Sequence, residues 1–307
     1  MTRPEFDLDQ LATLTTETAD PRYASVDTAG VAELAAMMNE ADASVPAAVE
    51  RALPAIVPAI EAIVARMSVG GRLLYIGAGT PGRLGVLDAS ECPPTFGTDP
   101  AVVVGVIAGG NAAILAAQEG AEDDLEAGRA AVATENVGPG DSVVGITSSG
   151  RTPYVLAAIE AARERGALTV GLSCNAGAPL SDAAEHGIEL VVGPEVLAGS
   201  TRLKSGTAQK LVLNMITTIS MVRMGKAYGN LMVDLKPTNA KLRERATRTV
   251  QAITGATREE AVDALQARAY HVKRSVLLIE QGLSADEADA RLAATGGHLR
   301  DVLEGRR

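Results

Sequence analysis

Apolar positions follow two rhythms along this chain, and the change of rhythm marks its organisation. Val45, Val49, Leu53, Ile56, Ile60, Val64 and Met67 recur at steps of three or four, the spacing of one helical face. Pro46 suits the first turn of that helix, after Ser44. Pro54 and Pro58 fall inside the pattern and are expected to bend or interrupt it. Residues 1–43 are mixed and polar and read as an arm, with a short helix around Val31–Met38. From Arg72 the rhythm becomes short, nearly all-apolar runs: Leu73–Ile76, Val102–Ile107, Ser142–Thr147, Leu168–Ser173 and Ile188–Val192. Such runs are expected of strands buried on both faces of a parallel sheet. Helical patterns at Leu115–Val132, Pro153–Arg165 and Leu180–Glu185 separate most of them. The result is an α/β fold, a doubly wound and mostly parallel sheet of five strands.

A long amphipathic helix over Gly206–Tyr228 follows, then a linker-like stretch at Leu231–Asn239. Beyond it only helices are predicted: Lys241–Ile253, Arg258–Ala269, Val272–Glu280, Ser284–Ala293 and Leu299–Leu303. Ser284 and Glu287 have the spacing of a capping box. The expected domains are an N-terminal arm and helix at 1–57, a sheet domain at 58–229 and a small helical domain at 240–307.

The charge balance narrows the partners. Twenty-eight basic residues against 38 acidic ones leave a net charge of −10, a poor basis for binding nucleic acid or an anionic membrane. The chain has no Trp and only 2 Phe, too few for base-stacking platforms. Two cysteines, Cys92 and Cys174, exclude a disulfide scaffold and a four-cysteine zinc site. His186, His271 and His298 lack metal-ligand spacing, so no metal is expected. The start of the chain carries no apolar signal core and no 18-residue apolar run occurs, so a cytoplasmic location is expected. All six lysines fall after position 203, whereas the other basic residues are arginines. Two of the lysines, Lys204 and Lys210, share one motif.

Ligands of α/β sheets bind beyond the carboxyl ends of strands, so the chemistry is sought there. The first strand runs into Gly77-Ala-Gly-Thr80-Pro-Gly82-Arg83, a Gly-x-Gly-x-x-Gly pattern of low specificity. A dinucleotide fold wants a carboxylate at the end of the second strand, which here reads Ile107-Ala-Gly-Gly110. The third strand ends in Thr147-Ser148-Ser149-Gly-Arg-Thr152 before a helix, the makings of an anion cradle. Ordinary helix capping accounts for such hydroxyls as well. A third patch, Gly199-Ser200-Thr201-Arg202-Leu-Lys204, precedes the long helix. Three hydroxyl-rich loops without a Walker lysine suggest a sugar phosphate. Glu91 precedes a rigid Pro-Pro pair, and Glu119–Asp124 forms an acidic knot at a helix boundary. The knot also fits compensation of a helix dipole.

Together, GRLLYIGAGT and GRLGVLDASECPPTFG within 71–97, VVVGVIAGG at 102–110 and EGAEDD at 119–124 resemble the N-acetylmuramic acid 6-phosphate etherase family. GITSSGRTPYV at 145–155 and GSTRLKSGTAQKLVLNM at 199–215 extend the likeness, as do TTET near residue 15 and GLSADEADARLAATGGHLRDVL at 282–303. The resemblance implies a sugar-isomerase (SIS) domain with a helical tail similar to ubiquitin-associated domains. It places the family's catalytic carboxylates on Glu91 and Glu122; the chemistry asks one to donate a proton and the other to remove one, and Glu91 is assigned as donor and Glu122 as base. The hydroxyl-rich loops are expected to bind a small sugar-phosphate substrate through Thr80, Gly82, Arg83, Ser148, Ser149, Thr152, Ser200, Thr201 and Lys204; the chemistry asks for no cofactor, and the apolar surface of the Gly206–Tyr228 helix suggests a homodimer. Pro81 departs from the pattern, where Ser is expected, and Ala19-Asp20-Pro21 also diverges. An aldose–ketose isomerase and a non-catalytic sugar-phosphate sensor share the expected fold and stay open.

Overall fold

A computed structural model describes residues 14–306. Its chain divides into two compact units. The first takes the described residues up to Ala89 together with Val103–Ile216, and the second takes Ser90–Val102 and the chain from Thr217 on.

In chain order the elements are α1 (Val31–Ala43), α2 (Val45–Met67), β1 (Leu73–Gly77), α3 (Gly79–Phe96), β2 (Val103–Ile107) and α4 (Ala112–Leu115). Then come α5 (Leu125–Thr134), β3 (Ser142–Ile146), α6 (Pro153–Glu164), β4 (Leu168–Ser173), α7 (Pro179–Ala183), β5 (His186–Glu189) and α8 (Lys204–Arg223). A hairpin of β6 (Ala227–Tyr228) and β7 (Leu231–Met232) leads to α9 (Ala240–Thr254), α10 (Arg258–Ala267), α11 (Val272–Gln281), α12 (Ala285–Ala294) and α13 (Leu299–Leu303).

The first unit is built on a five-stranded parallel sheet in the order β2-β1-β3-β4-β5. β1, β3 and β4 are buried at every position, as their all-apolar runs require. In the register Gly77 pairs with Ile107 on one side and Ile146 on the other, so the carboxyl ends of three strands are level. The order reverses between β1 and β3, which is where such sheets open a crevice for ligands.

The opposite end of the sheet is tied by one ion pair. Arg72 donates from Nε and Nη2 to the two carboxylate oxygens of Asp141, at 3.1 and 2.8 Å. The same carboxylate accepts the backbone N–H groups of Arg72 and Gly138. Burial opposes the charge on Asp141, but the Arg72 guanidinium and these N–H groups prevail and hold its carboxyl below the ordinary value. Tyr75, central in β1 and buried, donates to Asp88 of α3 at 3.0 Å. Asn214 of α8 donates to the other oxygen of Asp88 at 2.6 Å, so β1, α3 and α8 share one buried carboxylate.

Four expectations change. α2 runs unbroken through Pro54 and Pro58, because both lie on its exposed face while Val49, Ile56, Ile60 and Ile63 bury the other; water there satisfies the carbonyls that lose a donor. The boundary at residue 57 therefore falls within a helix. The helix expected over Leu115–Val132 is broken into α4, a 3-10 turn at Ala121–Asp123 and α5, because Gly120 turns the chain at φ +73° and Asp124 caps α5. Leu231–Asn239 is not a linker: it supplies β7, and Val233 and Leu235 are buried in the core of the second unit. That core gathers one face of each following helix, including Val250, Leu265, Val276, Ala288 and Leu299. Capping boxes at Thr257/Glu260 and Ser284/Glu287 start α10 and α12. Among the described residues no helix is long and apolar enough to cross a membrane.

Asp141→Asn removes the charge that pairs with Arg72, and urea unfolding at neutral pH is expected to show a loss of about 2 kcal/mol. Because the folded-state value is depressed, the wild-type contribution is full above the ordinary aspartate range. It fades as pH falls through the depressed value, so the two proteins converge in stability in acid.

Candidate sugar-phosphate site

The loop after β3 is ordered by contacts among its own hydroxyls. Thr147 Oγ1 lies 2.6 Å from Thr152 Oγ1 and 3.2 Å from Ser149 Oγ, and the Arg151 N–H donates to Ser149 Oγ at 3.2 Å. Thr152 is the N-cap of α6 but makes no side-chain cap, because its hydroxyl is turned to Thr147. The first turn of α6 thus keeps its positive end toward the loop. Gly150 makes the bend at φ +73°, and a Cβ there would stand 2.4 Å from the Ala178 Cβ, so no other residue fits.

Ser148 faces inward and is buried. Its hydroxyl accepts from Gln209 of α8 at 3.3 Å, and its carbonyl accepts from the Cys174 N–H and from Asn175 Nδ2, both at 3.0 Å. Asn175 also donates to Thr16 Oγ1 at 3.1 Å, while the Thr16 carbonyl accepts the Gly199 N–H. The segment near residue 15 is thereby stitched to two of the three hydroxyl-rich loops. Burial pushes the Cys174 thiol up to about 12, and the thiol donates to the Ser205 carbonyl, which makes it a packed group.

The loop after β1 lies beside the start of α8. Thr80 Cγ2 and the Thr201 carbonyl each sit 3.5 Å from where a Cβ of Gly206 would be. Gly82 packs so tightly on the strand that its Cβ would meet the Gly77 carbonyl at 2.7 Å. Pro81 is buried in the first turn of α3, where a helix N–H has no intrahelical partner to lose. Ser200 and Thr201 form the turn into α8, Thr201 accepting the Gly206 N–H at 2.9 Å. Thr80 and Thr201 thus meet at the start of α8, and Gln209 of the same helix reaches Ser148.

Lys204 is tied into the scaffold. It is buried, and its ammonium donates to the Val192 carbonyl at 2.8 Å. Burial pulls its pKa down and the charge of Glu195 pushes it back up. Lys204 is a scaffold cation here because Glu195, wholly buried, occupies the start of α8. The Glu195 carboxylate accepts the Lys204 N–H, the Ser205 N–H and the Ser205 hydroxyl, each at 2.9 Å. The start of α8 is thus capped by a carboxylate of the chain itself.

Beside the crevice, at the carboxyl ends of β1 and β2, lies a cleft of about 280 Å³. Gly79, Arg83, Gln118, Glu119 and Glu122 line it. Arg83 donates to the Ile114 carbonyl at 3.0 Å, which fixes α3 against α4. Glu122 sits in the 3-10 turn before α5, exposed to the cleft. Glu91 lies near the end of α3, in the second unit, and is exposed. Reading from sequence missed Thr16, Asn175 and Glu195. A lone Glu in the apolar stretch Val191–Leu197 was the available signal for the last.

The doubly wound five-stranded parallel sheet is that of the SIS class. Two family models agree: the glucokinase regulatory protein N-terminal SIS domain matches residues 55–163, and the SIS domain matches residues 126–219. The N-acetylmuramic acid 6-phosphate etherase of Streptomyces avermitilis is 56% identical over 96% of this chain and 94% of its own. That of Rubrobacter xylanophilus is 56% identical over 97% and 99%, and that of Cronobacter sakazakii 52% identical over 96% and 99%. The chain belongs to the N-acetylmuramic acid 6-phosphate etherase family.

Ser149→Ala is expected to raise KM for a phosphorylated sugar about ten- to a hundredfold, the loss of one hydrogen bond to a charged group at ~1.5–3 kcal/mol. Steady-state kinetics check it, and unchanged KM in a Ser148/Ser149 double alanine variant overturns the cradle.

Proposed function

We propose that this protein cleaves the lactyl ether of N-acetylmuramic acid 6-phosphate, giving N-acetylglucosamine 6-phosphate and D-lactate, in the recycling of cell-wall amino sugars. The observation that carries the reading is the 56% identity to etherases across nearly the whole chain. The phosphate cradle at the β1/β3 crevice, with a glutamate in the adjoining cleft, supports it.

The chemistry follows from the substrate. Opening the sugar ring exposes the C1 aldehyde, which acidifies the C2 proton. Glu122 removes that proton. Glu91 protonates the ether oxygen at C3 as lactate departs, and water then adds to the unsaturated aldehyde. Each proton transfer contributes about 10²–10⁴-fold. The reaction as written removes the C2 proton, expels lactate with its ether oxygen and adds water across C2–C3. Ser148, Ser149 and Thr152 hold the phosphate, with Thr80, Ser200 and Thr201 toward the sugar. Gly82 permits the close turn beside them, and Arg83 positions the cleft wall. Lys204 enters as support for the start of α8.

The protein acts in the cytoplasm as a homodimer in this reading. Ile219 and Val222, exposed and apolar on the long α8, support the second point. Light scattering is expected to give twice the chain mass of 31.5 kDa; a fully active monomer at micromolar concentration overturns the dimer.

Release of lactate from N-acetylmuramic acid 6-phosphate tests the function, and aldose–ketose interconversion with the lactyl group retained overturns it. In D₂O the sugar product is expected to carry deuterium at C2, and in ¹⁸O water the label is expected at C3 of the sugar. Label in lactate, with C2 still protiated, refutes elimination. Glu122→Gln is expected to abolish C2 exchange. Glu91→Gln is expected to slow lactate departure more than exchange, and the reverse pattern exchanges the two roles.

A further inference from the structure

The second unit holds a cleft of about 650 Å³ that the proposed reaction leaves unused. Every residue lining it belongs to that unit. Lys226, Lys236 and Lys273, half of the chain's six lysines, meet there with Arg243 and Arg274. Two carboxylates, Asp234 and Asp289, oppose these five cations. A local excess of positive charge in a chain of net charge −10 reverses what composition alone supplies.

The two carboxylates are already shared out. One oxygen of Asp234 accepts Lys273 at 2.6 Å and Lys226 at 3.1 Å, so a single negative charge serves two ammonium groups. Asp289 is taken by Arg274 through two bonds of 2.6 Å. Among the described residues no carboxylate pairs with Lys236 or Arg243, and Arg243 lies over the Tyr270 ring at 5.2 Å. Lys273 and Arg274 also stand in the first turn of α11, the helix end where positive charge is least welcome. An anion in the cleft relieves that arrangement. Ammonium groups, as compact point charges with freely turning donors, suit the oxygens of a phosphate.

We propose that this cleft is a second anion site, which takes the phosphate group of a small molecule through Lys226, Lys236, Lys273 and Arg243. None of its lining residues contributes to the cradle of the first unit. Its volume is in the range of small-metabolite pockets.

The chain's three histidines provide the test, because His271 lines the cleft while His186 lies in β5 and His298 precedes α13. The full-length protein, ¹³C-labelled at histidine ε1, is titrated with inorganic phosphate at constant pH and ionic strength. The His271 resonance is expected to move and saturate while that of His186 stays. In a Lys236→Gln/Arg243→Gln variant, whose altered side chains are exposed, the apparent Kd is expected to rise at least tenfold with an unchanged melting temperature. Ser149→Ala is expected to leave the His271 response intact, which separates this site from the cradle whatever the lactate assay gives. A His271 signal that does not move, that moves equally with chloride, that responds equally in the double variant or that is silenced by Ser149→Ala overturns the proposal.

Discussion

A single carboxylate with no access to water organises the binding end of the first unit. Glu195 is fully buried, and its charge is answered by two backbone N–H groups, one hydroxyl and the nearby ammonium of Lys204. A buried charge is tolerable only with such partners. Its partners are the first residues of α8, so satisfying the charge also fixes where that helix begins. From there Gln209 reaches Ser148, Gly206 meets Thr80, and Asn214 reaches Asp88. The hydroxyl-rich loops are therefore aligned by a group that touches none of the proposed substrate. The start of α8 is thus capped from within, whereas the start of α6 carries no side-chain cap.

The same logic separates support from chemistry in α3. Its first turn supplies Thr80, Gly82 and Arg83, its middle supplies Asp88, and Glu91 follows within one turn. Asp88 is bound to Tyr75 and Asn214 inside the core, whereas Glu91 is exposed. Two carboxylates three positions apart thus have opposite duties, one holding the helix and one open to solvent.

How far the sequence was legible depended on whether local pattern and tertiary burial agreed. The inner strands β1, β3 and β4 were readable because burial on both faces leaves an apolar run, whereas the edge strand β5, only partly buried, begins two residues before the expected Ile188. The C-terminal helices and the Ser284 cap were readable because their periodicity and capping chemistry are local. Pro54 and Pro58 misled because their effect depends on which face meets water, which only packing decides. The helix break at Gly120 was hidden because glycine is tolerated in helical patterns until φ is known. The contacts of Lys204 with the Val192 carbonyl and the charge of Glu195 join positions that no local pattern pairs. The hydroxyl loops were legible as a set, but the buried links through Thr16 and Asn175 join positions too far apart for any local pattern to suggest.

Those links carry a consequence for the order in which the molecule is made. Thr16 and Asn175 are 159 positions apart. At a ribosomal pace of about 5–20 residues per second, Asn175 is synthesised roughly 8–30 s after Thr16. During that interval the N-terminal strap has no partner. The β1 and β3 loops are both made before Asn175 exists, so the cradle is finished late, by a contact that closes backward across the growing chain.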